Sequence, residues 1–141
     1  MSDLATFLHD LGEALAPVFE EQRTVWEREG PAASARAAAL RIVFDEIGGN
    51  CPVQSEGSFD QQRFYFRARY NRWRFHAWTG SEHYQDAENR DEWVVERSYG
   101  ADRFDAGWMH RHEAIHFICD CVDEYRAAER EQDVPDALNG D

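Results

Sequence analysis

The 141-residue chain contains no lysine: its fifteen basic residues are all arginine, set against 28 acids for a formal charge of −13. It also lacks any apolar run near the ~20 residues that a membrane-spanning helix needs. Three cysteines, an odd number, are too few for a secreted disulfide framework and point to reduced thiols. The opening stretch MSDLATFLHDLGEAL carries acids where a secretory signal needs positive charge, so the expected location is the cytoplasm. There is no internal repeat, no low-complexity linker, no phosphate-binding glycine loop and no serine nucleophile elbow. What is present is an ordinary apolar content of 43% with 13% aromatics, which excludes a disordered chain and suits a single buried core. The expected organisation is one domain over residues 1–131, followed by a disordered acidic tail over 132–141.

Apolar spacing gives the element order. Residues 3–29 read as a helix, with Leu4, Phe7, Leu8, Leu11, Leu15, Val18, Phe19, Val25 and Trp26 recurring every three or four positions. Pro17 is expected to kink or divide it, and Gly30-Pro31 to end it. Residues 32–47 read as a second helix with Leu40, Val43, Phe44 and Ile47 inward, stopped by Gly48-Gly49 and packed antiparallel on the first. The period then drops to two over residues 63–78: Phe64, Phe66, Ala68, Trp73, Phe75 and Ala77 alternate with polar residues about a turn near Tyr70–Arg72, a β-hairpin. Val53 and residues 92–99 supply further strands, with a polar loop over 79–91. A long last helix is expected over 106–131, capped by Asp105, with Trp108, Ile115, Ile118, Val122 and Tyr125 on one face. The class is α+β: two N-terminal helices, a three- or four-stranded antiparallel sheet, and a C-terminal helix packed on the sheet.

Charge is unevenly distributed. Residues 62–79 hold five Arg and no acid; residues 1–61 hold four Arg and eleven acids, and residues 80–141 six Arg and seventeen acids. Alternation puts Arg63, Tyr65, Arg67, Arg69, Arg72, Arg74, His76 and Trp78 on the hairpin's polar face. Arginine interleaved with aromatics can stack bases and neutralise phosphates. The same face can equally pair with the chain's own acids, lie in solvent, or make a contact between two copies in a homodimer. The overall charge opposes approach of a polyanion.

The acids fall on helix faces: Asp10, Glu13, Glu20, Glu21 and Glu27 near the start, Asp120, Asp123, Glu124 and Glu129 near the end. Such carboxylates can stand where a basic, nucleic-acid-binding partner expects phosphates, steering association and bonding to Arg and Lys. In charge and size the chain is similar to the small acidic inhibitors that phages and mobile elements use against restriction and CRISPR nucleases, an analogy of class and not of motif. It implies a nucleic-acid mimic that blocks a basic protein or nuclease. Salt adaptation or codon bias would also yield acid excess and Arg in place of Lys.

One motif carries chemistry. Residues 112–116 spell His-Glu-Ala-Ile-His, so His112 and His116 share a helix face and can share a zinc ion, with Glu113 as general base toward a bound water. A catalytic zinc needs a third protein ligand, and FICDCVDEY downstream offers no GxxH. Cys119 and Asp123 continue the stripe, but one straight helix cannot close a tetrahedron, which leaves His76, His83 or His110 to complete it. A half-buried His pair bonded to Asp or backbone is the competing reading. Cys119 and Cys121 are two apart, so their thiols diverge, and Cys51 reads as a half-buried thiol. The expectation is a non-enzymatic binding protein with no cofactor; the alternatives are a small zinc hydrolase and a nucleotide or single-stranded nucleic-acid binder.

Overall fold

The computed structural model describes residues 2–79 and 92–132, in the order α1 (Ser2–Ala39), β1 (Val43–Gly48), β2 (Val53–Phe59), β3 (Gln62–Arg69), β4 (Arg72–Trp78), β5 (Glu92–Ser98) and α2 (Arg111–Gln132). A 3-10 turn, Asp105–Trp108, precedes α2. The predicted tail beyond residue 132 and the loop over 80–91 lie outside the described residues.

Where two helices are expected there is one of 38 residues, continuous through Pro17 and Pro31. Each proline costs one backbone hydrogen bond, leaving the carbonyls of Glu13 and Glu27 without a helical donor. Both glutamates are exposed, so water takes the donor's place and the helix carries on. Gly30 does not end the helix either. It lies beneath Trp26, where a Cβ would sit 2.7 Å from the indole ring. The helix stops at a left-handed residue, Arg41 (φ 61). The Ile42 and Arg41 amides then donate back to the Ala37 and Ala38 carbonyls at 3.0 Å, the pairing of a Schellman cap. That cap normally advertises itself with glycine. With arginine in its place, Val43, Phe44 and Ile47 read as helix but form β1.

The five strands follow one another, β1-β2-β3-β4-β5, all antiparallel. This is one or two strands more than the pattern suggests, and β1 is the addition. The predicted hairpin is β3–β4, joined by Tyr70-Asn71 between Arg69 and Arg72. The β2–β3 turn, Asp60-Gln61, has both residues at positive φ (49 and 63), the hairpin turn whose twist matches its strands. Gly57, on the inner face of β2, clears the Phe64 ring and the Val43 carbonyl, which a Cβ would meet at 2.7 and 2.0 Å.

The core lies between the inner face of the sheet and α2. Phe64 stacks on Phe75 with ring centres 5.6 Å apart, Trp73 on Phe117 at 5.0 Å, and Phe59 meets Tyr125 edge-on at 5.5 Å. Ala114, Ile115, Ile118, Cys121 and Val122 of α2 are buried. The helix begins five residues later than predicted. Asp105 caps no part of it; its carboxylate instead accepts the Ala101 and Asp102 amides at 2.9 and 2.8 Å. α1 packs mainly on α2, through its C-terminal half, where its buried residues lie. Ala33 and Ala37, one turn apart and buried, let the two helices approach closely.

Candidate functional site

The hairpin's arginines reach the outer face of the sheet, which no helix among the described residues covers. Arg63 binds Asp45, which a bulge in β1 turns outward. Arg72 meets Glu96 at 3.2 Å, and Arg74 approaches the same carboxylate at 3.9 Å. Arg69 lies over the Tyr70 ring at 4.7 Å. Arg67, opposite Arg74 across the strands, has no ion pair among the described residues, and its Nε is buried without a partner. His76 and Trp78, predicted on this face, are buried, and His76 Nδ1 pairs with Glu92. Three of the five arginines are thus matched by the chain's own carboxylates.

The His-Glu-Ala-Ile-His segment opens α2, and its position explains its residues. Glu113 is the third residue of the helix. Its Oε2 accepts the His110 amide at 3.0 Å, the return half of a capping box, and also the Tyr99 hydroxyl at 2.6 Å. Burial and this carboxylate together push the Tyr99 hydroxyl well above its ordinary range. The same oxygen thus serves two donors, a use of this carboxylate that fixes the start of the helix. His116 Nδ1 accepts from Arg36 Nη1 at 3.0 Å, and the Arg36 guanidinium also reaches Asp120 (2.6 Å) and Asp123 (3.4 Å). A cation from α1 therefore occupies the polar stripe on which a zinc would sit. The His112 and His116 rings stand perpendicular with centres 6.4 Å apart, and His110 stacks beside His112 at 5.8 Å. Burial lowers the His112 pKa, and its Nδ1 is buried without a partner. Among the described residues no group of three His, Cys, Asp or Glu side chains is placed to hold a metal. Cys119 and Cys121 are buried, with the Cys119 thiol pushed up to about 11 by burial, whereas Cys51 is exposed and not half-buried.

The two sets of acids differ. On α2, Asp120 and Asp123 are held by Arg36, and Glu124 by Arg97 at 3.2 Å. Across the sheet, Asp60 takes both nitrogens of Arg126 at 2.9 Å, a pairing that holds its carboxyl below the usual range. On α1, Asp10, Glu13, Glu20, Glu21 and Glu27 are all exposed. Their only ion pairs among the described residues are short-range ones, Glu13 with His9 and Glu20 with Arg23. Glu129 of α2 is exposed as well.

Sequence reasoning missed the environment of α1's first half. The apolar stripe expected in the core is in solvent there: Leu4 is 66% exposed, Phe7 61%, Leu8 57%, Leu11 44% and Phe19 48%. The body takes over near Gln22, whose amide exchanges hydrogen bonds with Asn50, and at Trp26, which Arg111 covers at 4.9 Å. A cleft of about 340 Å³ lies at this junction, bordered by Phe19, Gln22, Trp26, Asn50, Met109 and His112 among others. Helix length was the available signal. At about 1.5 Å per residue such a helix outruns strands of six to eight residues. The chain matches no protein-family model, no curated protein and no solved structure.

Proposed function

We propose that this protein is a non-enzymatic binding protein that engages a basic partner, a nucleic-acid-binding protein or nuclease, through the carboxylates of α1. The observation behind this reading is the contrast between the two helices: Asp120, Asp123 and Glu124 of α2 pair with arginines from other elements, while the exposed acids of α1 have no ion pair beyond their own helix among the described residues. Asp10, Glu13, Glu20 and Glu27 lie on the side of α1 away from its apolar stripe. Exposed carboxylates along a helix steer a cationic partner and bond to its Arg and Lys side chains, and such attachment weakens with salt. Glu113, tied to the His110 amide and Tyr99, acts in this reading as a structural residue.

The test is capture from the source organism's lysate at low salt, comparing the native chain with the Asp10→Asn/Glu13→Gln/Glu20→Gln/Glu27→Gln variant. The expected result is a basic protein retained by the native chain, released by salt and lost from the variant. Recovery of no basic protein, or equal recovery by both, would overturn the proposal.

A second reading has one observation in its favour. Arg67 and Arg74 stand opposite each other on a sheet face that no helix among the described residues covers, with Glu96 3.9 Å from Arg74 and no ion pair to Arg67 among the described residues, which suits a small anionic ligand such as a nucleotide or a single-stranded end. Titration with a fluorescent oligonucleotide at low salt decides it; affinity unchanged by Arg67→Ala or Arg74→Ala removes it.

A further inference from the structure

The apolar stripe of α1 is a single seam with two fates. Leu4, Leu8, Leu11, Leu15, Val18, Gln22 and Val25 alternate four- and three-residue steps, the spacing of a coiled-coil seam. From Gln22 onward that side of the helix meets the body; the groove beside it is bordered by Leu15, Val18, Trp108 and His110. Before Leu15 nothing among the described residues covers it. The exposed side chains there, Leu4, Phe7, Leu8 and Leu11, together with Phe19 one turn past Leu15, leave on the order of 500 Å² of apolar surface uncovered. That is at the upper end of what a monomer shows.

We propose that this seam is covered by a second copy of the same chain, the two α1 arms pairing antiparallel to form a homodimer. Area supports a second copy: two such patches bring on the order of 1,000 Å² together, the range where specific interfaces begin, before Leu15 and Val18 are added. Charge supports it too. Over the stretch that would pair, the positions beside the seam are Ala5, Phe7, Gly12, Ala14 and Phe19, all uncharged; the first acid to flank it is Glu21, past Val18, whereas Asp3, Asp10, Glu13 and Glu20 point away from it. Two copies of a chain of charge −13 can therefore meet there without opposing carboxylates. A basic partner, by contrast, gains nothing from an uncharged seam. Orientation follows from the body. In a parallel pair, with Leu4 beside Leu4 and Leu15 beside Leu15, the two bodies that begin near Gln22 would crowd together at the same end. The antiparallel pair avoids this and sets Leu4 of one copy against Leu15 of the other and Leu8 against Leu11, with Phe7 over the small Ala14. The symmetry is a closed two-fold, so assembly ends at two. The pairing leaves the outward acids free and does not depend on the reading of them given above.

Light scattering on the full chain over a range of concentrations tests the inference. The expected mass is twice the 16.4 kDa of one chain, falling to 16.4 kDa for Leu8→Glu/Leu11→Glu with the circular dichroism of the body retained. Those two side chains are exposed in one copy, so their replacement leaves the fold of the body intact. A native chain that stays monomeric to the highest soluble concentration overturns the proposal, as does a variant that remains dimeric. A monomer that instead binds lipid vesicles assigns the seam to a membrane surface and equally overturns it. In a Cys51→Ser background, disulfide formation between Ala5→Cys and Gly12→Cys chains, exceeding that between two Ala5→Cys chains, supports the antiparallel order; the reverse preference refutes it.

Discussion

The two halves of α1 have the same kind of sequence and opposite surroundings. From Gln22 to Ala39 the apolar side of the helix meets α2 and the β1–β2 turn, and its own Arg36 binds His116, Asp120 and Asp123 of α2. From Leu4 to Leu11 the same spacing of apolar residues faces water. Amphipathicity therefore specifies that a face will be covered, and it leaves open by what. In the second half Ala33 and Ala37 let α2 come close, and Gly30 makes room for the Trp26 ring.

The contrast is broken most strongly by truncating apolar side chains on either side of it. Ile118→Ala, in the core beneath the sheet, is expected to cost about 2–5 kcal/mol in urea unfolding, whereas Leu8→Ala, measured in dilute monomer, should change stability by less than about 0.5 kcal/mol. Equal losses would mean that the arm is packed. The two glycines of α1 make the next comparison. Gly30→Ala places a methyl against Trp26 and should destabilise by about 1–3 kcal/mol. Gly12→Ala meets nothing within 4 Å and should stabilise the arm by about 0.5–1 kcal/mol, read as helicity.

Ion pairs divide in the same way. Arg36→Ala removes the bonds that tie α1 to α2, and about 1 kcal/mol of thermal stability should go with it, since the side chain is one-third exposed. Arg23→Ala, whose partner Glu20 is one turn away in solvent, should be silent in the same melt. The smallest effect is in acid. Arg126 lowers the Asp60 pKa, so this pair's contribution is complete above the usual carboxyl value near 3.8 and is lost as pH falls below it. Burial lowers the His112 pKa, so its contribution is present above its usual 6.5 and fades as pH falls through the lower folded value. His112→Gln should flatten the upper of these two steps in a pH series of melts while leaving the lower in place.

Much of this fold is legible in the residues. Period-two alternation over residues 63–78 locates β3, β4 and their turn, and the apolar face of α2 is read correctly from Ile115, Ile118 and Val122. What fails does so where a local signal is carried by an unexpected residue type. Arg41 occupies a left-handed cap that glycine usually marks, so β1 is hidden inside a helix pattern. Pro17 and Pro31 read as breaks because spacing does not show that their unpaired carbonyls belong to solvated residues. At the candidate site, residue types are visible but partners are not. Nothing local to His116 or Glu113 announces that Arg36, eighty positions away, or Tyr99 will hold them.

Pro17 has a consequence for motion. A helix transmits order along its ladder of amide hydrogen bonds, and the missing N–H interrupts that ladder between the arm and the body. Amides around Ala33 and Ala37 should exchange with deuterium only when the whole body opens, while those before Pro17 should exchange through local fraying, far faster. In shape α1 is one rod; in cooperativity it is two, and the step in protection should fall at that proline. Dimer formation would then appear in such an experiment as slowing confined to the residues before it.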